Sequence, residues 1–176
     1  VNTLQHQPAK IAAMEGHYES HDRAAPLILF GVPDDAAQEM HYKLEIPALG
    51  SLVLNHDIEA ATMGLDKVAP ENRAKVAFPF YAFRVMVGLG VLMLVLGLWG
   101  LWARLRGALF AATWLHRLAL AMGPTGFIAV LAGWITTETG RQPFTIYGVL
   151  RTAESASPLA APAVAASLLA FVVVYF

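Results

Sequence analysis

The sequence contains no cysteine. A disulfide framework, a Cys-ligated iron–sulfur cluster and a haem attached through C-x-x-C-H are therefore excluded within it. Redox chemistry, if present, has to use His, Met, Glu or Tyr. Charge is scarce too: 14% of the 176 residues are Asp, Glu, Lys or Arg, against about a quarter in an ordinary soluble domain. The net charge is -1, with no long run of either sign, which removes the electrostatic case for a nucleic-acid partner. Internal repeats and low-complexity tracts are absent, and no basic-then-apolar signal peptide follows Val1.

What fills the sequence instead is hydrocarbon: 57% of the residues are hydrophobic and the mean hydropathy is +0.53. The distribution is uneven. Acids, bases and turn residues are mixed through residues 1–75, whereas residues 76–176 are mostly apolar. The expected fold class is an all-α membrane protein, a polar segment followed by transmembrane helices. Its boundaries are predicted as an outer segment 1–78, a span 79–104, a link 105–112, a second span 113–138, an outer loop 139–158, and the start of a further helix at 159–176. That last run is short of the roughly 20 residues a span needs. Both ends read as cuts, and the chain is expected to be a fragment of a larger membrane protein.

Within the outer segment, Ile11, Met14 and Tyr18 recur at helical spacing in "QPAKIAAMEGHYESHD" and predict a short amphipathic helix. "APLILFGVPDD" and "YKLEIPALGSLVL" have extended character, punctuated by Pro and Gly. Tyr81 stands at one end of the first span and Trp99 and Trp102 near the other, as interfacial aromatics do. Arg104, Arg106 and Arg117 cluster around the link, which the positive-inside rule places in the cytoplasm. Segments 1–78 and 139–158 then share the outer side, although Arg141 and Arg151 make the charge bias modest. Pro124, inside the second span, is a site for a kink.

Charged residues at membrane depth are candidates for function. Arg84 lies near the outer end of the first span, followed by Met86, Gly88 and Gly90. A thioether with a glycine one turn below suits a porphyrin edge, but a methionine on an apolar helix usually only packs, and Arg84 could snorkel outward. Glu138 ends the second span, one turn after Trp134 and three residues before Arg141, with Pro143 closing the helix. A carboxylate there needs a cation, either Arg141 or a metal. Lys10 and Glu15 are five apart on the amphipathic helix and need not face one another. His17 and His21 have i,i+4 metal-ligand spacing, although Glu19 and Asp22 beside them fit a solvated face equally well. His116 is read as interfacial.

Three motifs in these regions carry a resemblance. "GRQPFTIYGVLRTAESASP" resembles the GRQPW-x-x-x-G-x-x-R/P-T-A signature of subunit I of the cytochrome bd-type quinol oxidases. "FRVMVGLG" is similar to the FR-hydrophobic-MVG stretch of that subunit. "QPAKIAAMEGHYE" is similar to its QP-x-K-x-A-A-x-E segment at the start of the quinol-binding loop. The motifs occur in family order and cover the chain from end to end.

The resemblance implies roles for particular residues. Met86 matches the methionine that ligates the low-spin haem b iron opposite a histidine, and Arg84 the arginine beside that haem. Glu138 matches the carboxylate associated with the high-spin haem b iron, Trp134 the nearby tryptophan, and Arg141 the arginine of the GRQP string. Lys10 and Glu15 match the lysine and glutamate implicated in quinol oxidation. The implied cofactors are two haems b and a haem d, or a b-type substitute for it. The implied partners are quinol, membrane lipid, the amino-terminal half of the same subunit, subunit II and a small accessory subunit. The implied location is the bacterial inner membrane, multi-pass. The implied reaction is quinol oxidation coupled to reduction of oxygen to water, with generation of a membrane potential; this fragment is not expected to be active alone.

Phe144 departs from the family tryptophan after GRQP. The compact outer segment resembles the short-loop branch, which includes cyanide-insensitive oxidases. The amino-terminal helices that supply the axial histidines lie outside the sequence. Other classes remain: an ion-coupled transporter using Arg84 and Glu138, or a membrane anchor without redox chemistry.

Overall fold

The computed structural model describes residues 2–155 and 158–175. Val1, Ala156, Ser157 and Phe176, which fall in the expected outer segment, outer loop and last helix, lie outside the described residues. The chain begins with helices α1 (Asn2–His6) and α2 (Pro8–Glu15). Pro8 opens α2, where a missing N–H costs nothing. Gly16 ends it at φ 76. A Cβ there would lie 2.5 Å from Met40 Cε and 2.8 Å from the Phe80 ring, so glycine is required by both conformation and space. Tyr18, expected on this helix, comes after the turn and enters the core from there.

Strands β1 (Leu27–Asp34) and β2 (Glu39–Ile46) form an antiparallel hairpin that pairs Leu27 with Ile46 and Val32 with His41. The Asp34 carboxylate accepts the N–H groups of Ala36 and Ala37 at 2.9 and 3.0 Å, which turns the chain. Helix α3 (Leu49–Asn55) follows. Ser51, fully buried, accepts the Ala25 N–H at 2.7 Å and donates to the Ala60 carbonyl at 2.9 Å.

The outer core gathers Ala12, Ala13, Tyr18, Ile28, Met40, Leu65, Ala74, Val76 and Phe80. Phe80 belongs to helix α4 (Ala77–Leu105), so this long apolar helix closes the core. At 29 residues, α4 is about 44 Å long, and it is apolar enough to cross a bilayer. The expected second span is two helices, α5 (Thr113–Ala121) and α6 (Thr125–Gly140), bent by 42° at the break. Pro124 sits in that break, because its ring cannot continue a regular helix. α6 packs along α4. A short hairpin, β3 (Phe144–Ile146) with β4 (Leu150–Arg151), follows, then helix α7 (Ala161–Tyr175), which has no buried residue among those described.

The all-α expectation therefore needs amending: the chain is mostly helical but carries two antiparallel hairpins. Residues 27–46 have the extended character the sequence suggested. With Ile28 and Met40 turned to the core and the other residues half-buried or exposed, except Gly31, they form a hairpin rather than a loop.

Candidate functional site

Helix α2 presents its two ends to α4 and α6, and a charged junction forms at each. At the first, Arg84 on α4 turns outward. Its Nη1 donates to the Met14 carbonyl at 2.7 Å and to Phe80 at 3.1 Å, its Nε donates to Ile28 at 2.9 Å, and its Nη2 donates to Ile28 and, at 3.4 Å, to Glu15. The guanidinium lies 3.5 Å from the Phe80 ring centroid. Arg84 does not snorkel to water. It binds the ends of α2 and β1 to α4.

Glu15 Oε2 lies 3.7 Å from Arg84 Nη2, with side-chain exposures of 5% for Glu15 and 16% for Arg84. Oε2 has no hydrogen bond among the described residues. Burial raises the Glu15 pKa, and the Arg84 charge opposes the rise.

At the second junction Glu138, in the last turn of α6, is paired with Arg141 Nη2, and both side chains are about one-third exposed. Arg141 Nη1 also donates to Thr145 at 3.2 Å, and Gln142 Nε2 donates to the Glu138 carbonyl at 3.3 Å. Lys10 reaches this pair from α2. A Cβ on Gly140 would lie 3.2 Å from Lys10 Cγ, so that glycine leaves room for the lysine stem. Burial lowers the Lys10 pKa, Arg141 lowers it further, and Glu138 opposes both. Lys10 thus associates with Glu138 and Arg141, and Glu15 with Arg84. The two residues expected to share one task face different helices, as their spacing of five allows.

Met86 is half-buried on α4 and faces α6: a Cβ on Gly133 would lie 2.9 Å from its sulfur. A Cβ on Gly90, one turn along α4, would meet nothing within 4 Å. Trp134 is 63% exposed. Arg151 holds the outer loop to the outer segment through Asn72 Oδ1 at 2.7 Å, with its guanidinium 5.6 Å from the Phe144 ring centroid.

His17 and His21 stack edge to face at 5.2 Å, but no group of three metal-ligating side chains occurs among the described residues. His17 is buried, and its Nε2–H donates to the Pro26 carbonyl at 2.9 Å. The ring lines a cavity of about 330 Å³ beside the first hairpin, together with His21, Lys43 and Glu45. Neither Lys10 nor Glu15 reaches that cavity. Gly133, Gly140 (beyond its place in the GRQP string) and Asn72 were not singled out from sequence. The first two act by leaving space, and one sequence carries no signal of what occupies it.

The model of the family "Cytochrome bd terminal oxidase subunit I" matches residues 1–176. The chain belongs to this family. Cytochrome bd ubiquinol oxidase subunit 1 of Bacillus subtilis is 32% identical, over 98% of this chain and 39% of that protein. Cytochrome bd-II ubiquinol oxidase subunit 1 of Escherichia coli is 27% identical, over 97% of this chain and 46% of that protein. Among solved structures, the bd oxidase from Geobacillus thermodenitrificans superposes with a TM-score of 0.77 at 35% identity, over 98% of this chain and 39% of that one. The chain spans less than half the length of these bd oxidase relatives.

The Arg84 junction is testable in the full-length subunit. Arg84→Gln leaves Glu15 buried without its cation and removes donors from buried carbonyls. The expected loss is about 3–5 kcal/mol, read as faster proteolysis of the outer segment. In the double variant with Glu15→Gln, part of that loss should return; strictly additive losses would show that the backbone bonds alone make the clamp.

His17 predicts a pH dependence. Burial lowers its pKa from 6.5 to about 4. Above 6.5 the ring is neutral in both folded and unfolded chains, and stability is full. As pH falls from 6.5 towards 4, only the unfolded chain takes up the proton, so stability drops by about 3 kcal/mol at most. Glu15, with its raised pKa, has the opposite slope. His17→Gln should flatten the acid-side loss, measured by hydrogen exchange of the outer segment across the same interval. An unchanged profile would assign the loss to other groups.

Proposed function

We propose that this chain is part of subunit I of a bd-type terminal oxidase, in which quinol is oxidised at the outer side of a bacterial plasma membrane and oxygen is reduced to water. The observation that carries this reading is the Arg84 junction. It joins a buried carboxylate of the outer segment to the helix that presents the Met86 thioether two residues later. Arg84 and Glu138 close on separate partners, Glu15 and Arg141, which argues against the single shared site of an ion-coupled transporter.

The residues fit haem in a limited way. Met86 has the donor chemistry of an axial ligand, and Gly90 leaves open space one turn away on the same face. It would help to hold the low-spin haem b, together with a histidine from elsewhere in the subunit. Glu138, with Arg141 and Lys10 beside it and Trp134 one turn earlier, would serve the high-spin haem b. The haems, with haem d or a b-type substitute as the third, supply electron transfer and oxygen reduction when bound.

The chain's own residues do the rest. Glu15 Oε2, which has no hydrogen bond among the described residues and a pKa raised by burial, accepts a proton from a quinol hydroxyl. Arg84 holds the carboxylate in place and balances its charge. The Lys10 ammonium hydrogen-bonds a quinol oxygen. Proton release on the outer side, with uptake for water from the cytoplasm, generates a membrane potential. Subunit II, the remainder of subunit I and a small accessory subunit complete the complex.

Met86→Leu in the intact complex keeps the volume and removes the sulfur. The low-spin haem should lose its six-coordinate spectrum or fall in midpoint potential. An unaltered reduced-minus-oxidised spectrum and midpoint would retire the assignment. Glu138→Ala should selectively deplete or shift the high-spin haem, and full occupancy with an unshifted spectrum would reduce Glu138 to a structural partner of Arg141.

Lys10→Met preserves the stem against Gly140 and removes the charge. Quinol-driven turnover should fall about ten- to a hundredfold, the loss of one charged hydrogen bond, with normal haem spectra. Wild-type turnover would mean that Lys10 serves only the Glu138 junction.

A further inference from the structure

The far end of α4 carries a second concentration of charge that the oxidase reading does not use. From residue 72 to residue 137 the sequence contains no Asp or Glu, yet Arg104, Arg106 and Arg117 fall within this interval around one link. All three are exposed. None is in an ion pair among the described residues. The outer-segment carboxylates lie beyond the opposite end of α4, about 44 Å away along its axis, far past the screening length of about 8 Å. This cluster is therefore uncompensated by the described part of the chain.

Its surroundings are aromatic. The Arg106 guanidinium lies 5.1 Å from the Trp102 ring centroid, and that of Arg117 lies 5.3 Å from Trp114. Helix α5 packs back on α4 and its Leu115 is 4% exposed, while Phe110, Trp114 and Leu120 are 93%, 72% and 83% exposed. The helix departs from α6 by 42°. A nine-residue helix tilted out of the span, with cations beside exposed indole and aliphatic groups, has the composition of a membrane-interface element.

We propose that this link, residues 102–120, is a docking surface for anionic phospholipid of the inner leaflet. The guanidinium forks of Arg104, Arg106 and Arg117 take the headgroup phosphates in paired hydrogen bonds. Trp102, Trp114 and Phe110 settle at the headgroup–acyl boundary. Charge complementarity commits the surface to a phospholipid of net negative charge rather than a zwitterionic one, whose own cation would face the arginines. The proposal rests on the membrane-spanning reading of α4.

The test uses the intact complex, incubated in detergent with equal phosphatidylglycerol and phosphatidylcholine and examined by native mass spectrometry for retained lipid. Wild type should retain phosphatidylglycerol preferentially. Arg104→Gln, Arg106→Gln and Arg117→Gln, made singly so that two arginines still set orientation, should each lower that enrichment about fivefold, with haem absorbance unchanged. Lysine at the same positions keeps the charge but not the fork. These variants should show a smaller loss, and they serve if a glutamine variant fails to assemble. No preference in wild type, or unchanged enrichment across all the variants, would overturn the proposal. Displacement of the lipid by inorganic phosphate alone, or loss of a protein subunit rather than lipid from the variants, would also overturn it. A complex that does not sediment with membranes defeats the membrane reading itself, whereas one that sediments without lipid preference defeats only this proposal.

Discussion

A single guanidinium organises the outer half of this chain. Arg84 sits where the polar segment meets the membrane helix, and the Met14, Ile28 and Phe80 carbonyls and Glu15 point at it. Those carbonyls belong to α2, β1 and α4, elements that sequence separates by up to 70 residues. A lysine could not replace this arrangement: its ammonium is one point of charge, whereas the planar fork meets several acceptors at fixed angles.

The same helix then sorts two carboxylates into different environments. Glu15 is nearly sealed, with one cation beside it and Oε2 without a hydrogen bond among the described residues. Glu138 is a third exposed, with Arg141 bonded to it and Lys10 close by. Identical functional groups thus meet opposite electrostatic conditions about one short helix apart. Burial raises the pKa of Glu15, whereas two cations stand beside the more exposed Glu138.

Much of this was legible in the sequence. The apolar runs located α4 and α6, and Pro124 located the break before α6, because its ring forbids the continuing helix. The five-residue spacing of Lys10 and Glu15 already left them free to face different neighbours. Their actual partners were not legible. Gly140 and Gly133 matter through what they lack, and a hole in one helix is uninformative until its neighbour is in place. The first hairpin was read as extended chain but lost in the all-α class, because its inward residues, Ile28 and Met40, are too few to impose strict alternation on its strands. Tyr18 matched the helical period yet lies past Gly16, whose positive φ ends the helix first.

The contribution of Phe80 to the outer core bears on how the protein is made. Val76 and Phe80 are fully buried among residues that precede them, and Phe80 is already part of the apolar helix. A nascent outer segment emerging ahead of α4 therefore lacks the side chain that closes its own interior. Its final packing must wait until the first turns of α4 have been made and folded. Growth of the apolar helix and closure of the polar segment then form one ordered event, with the later element acting as template for the earlier one.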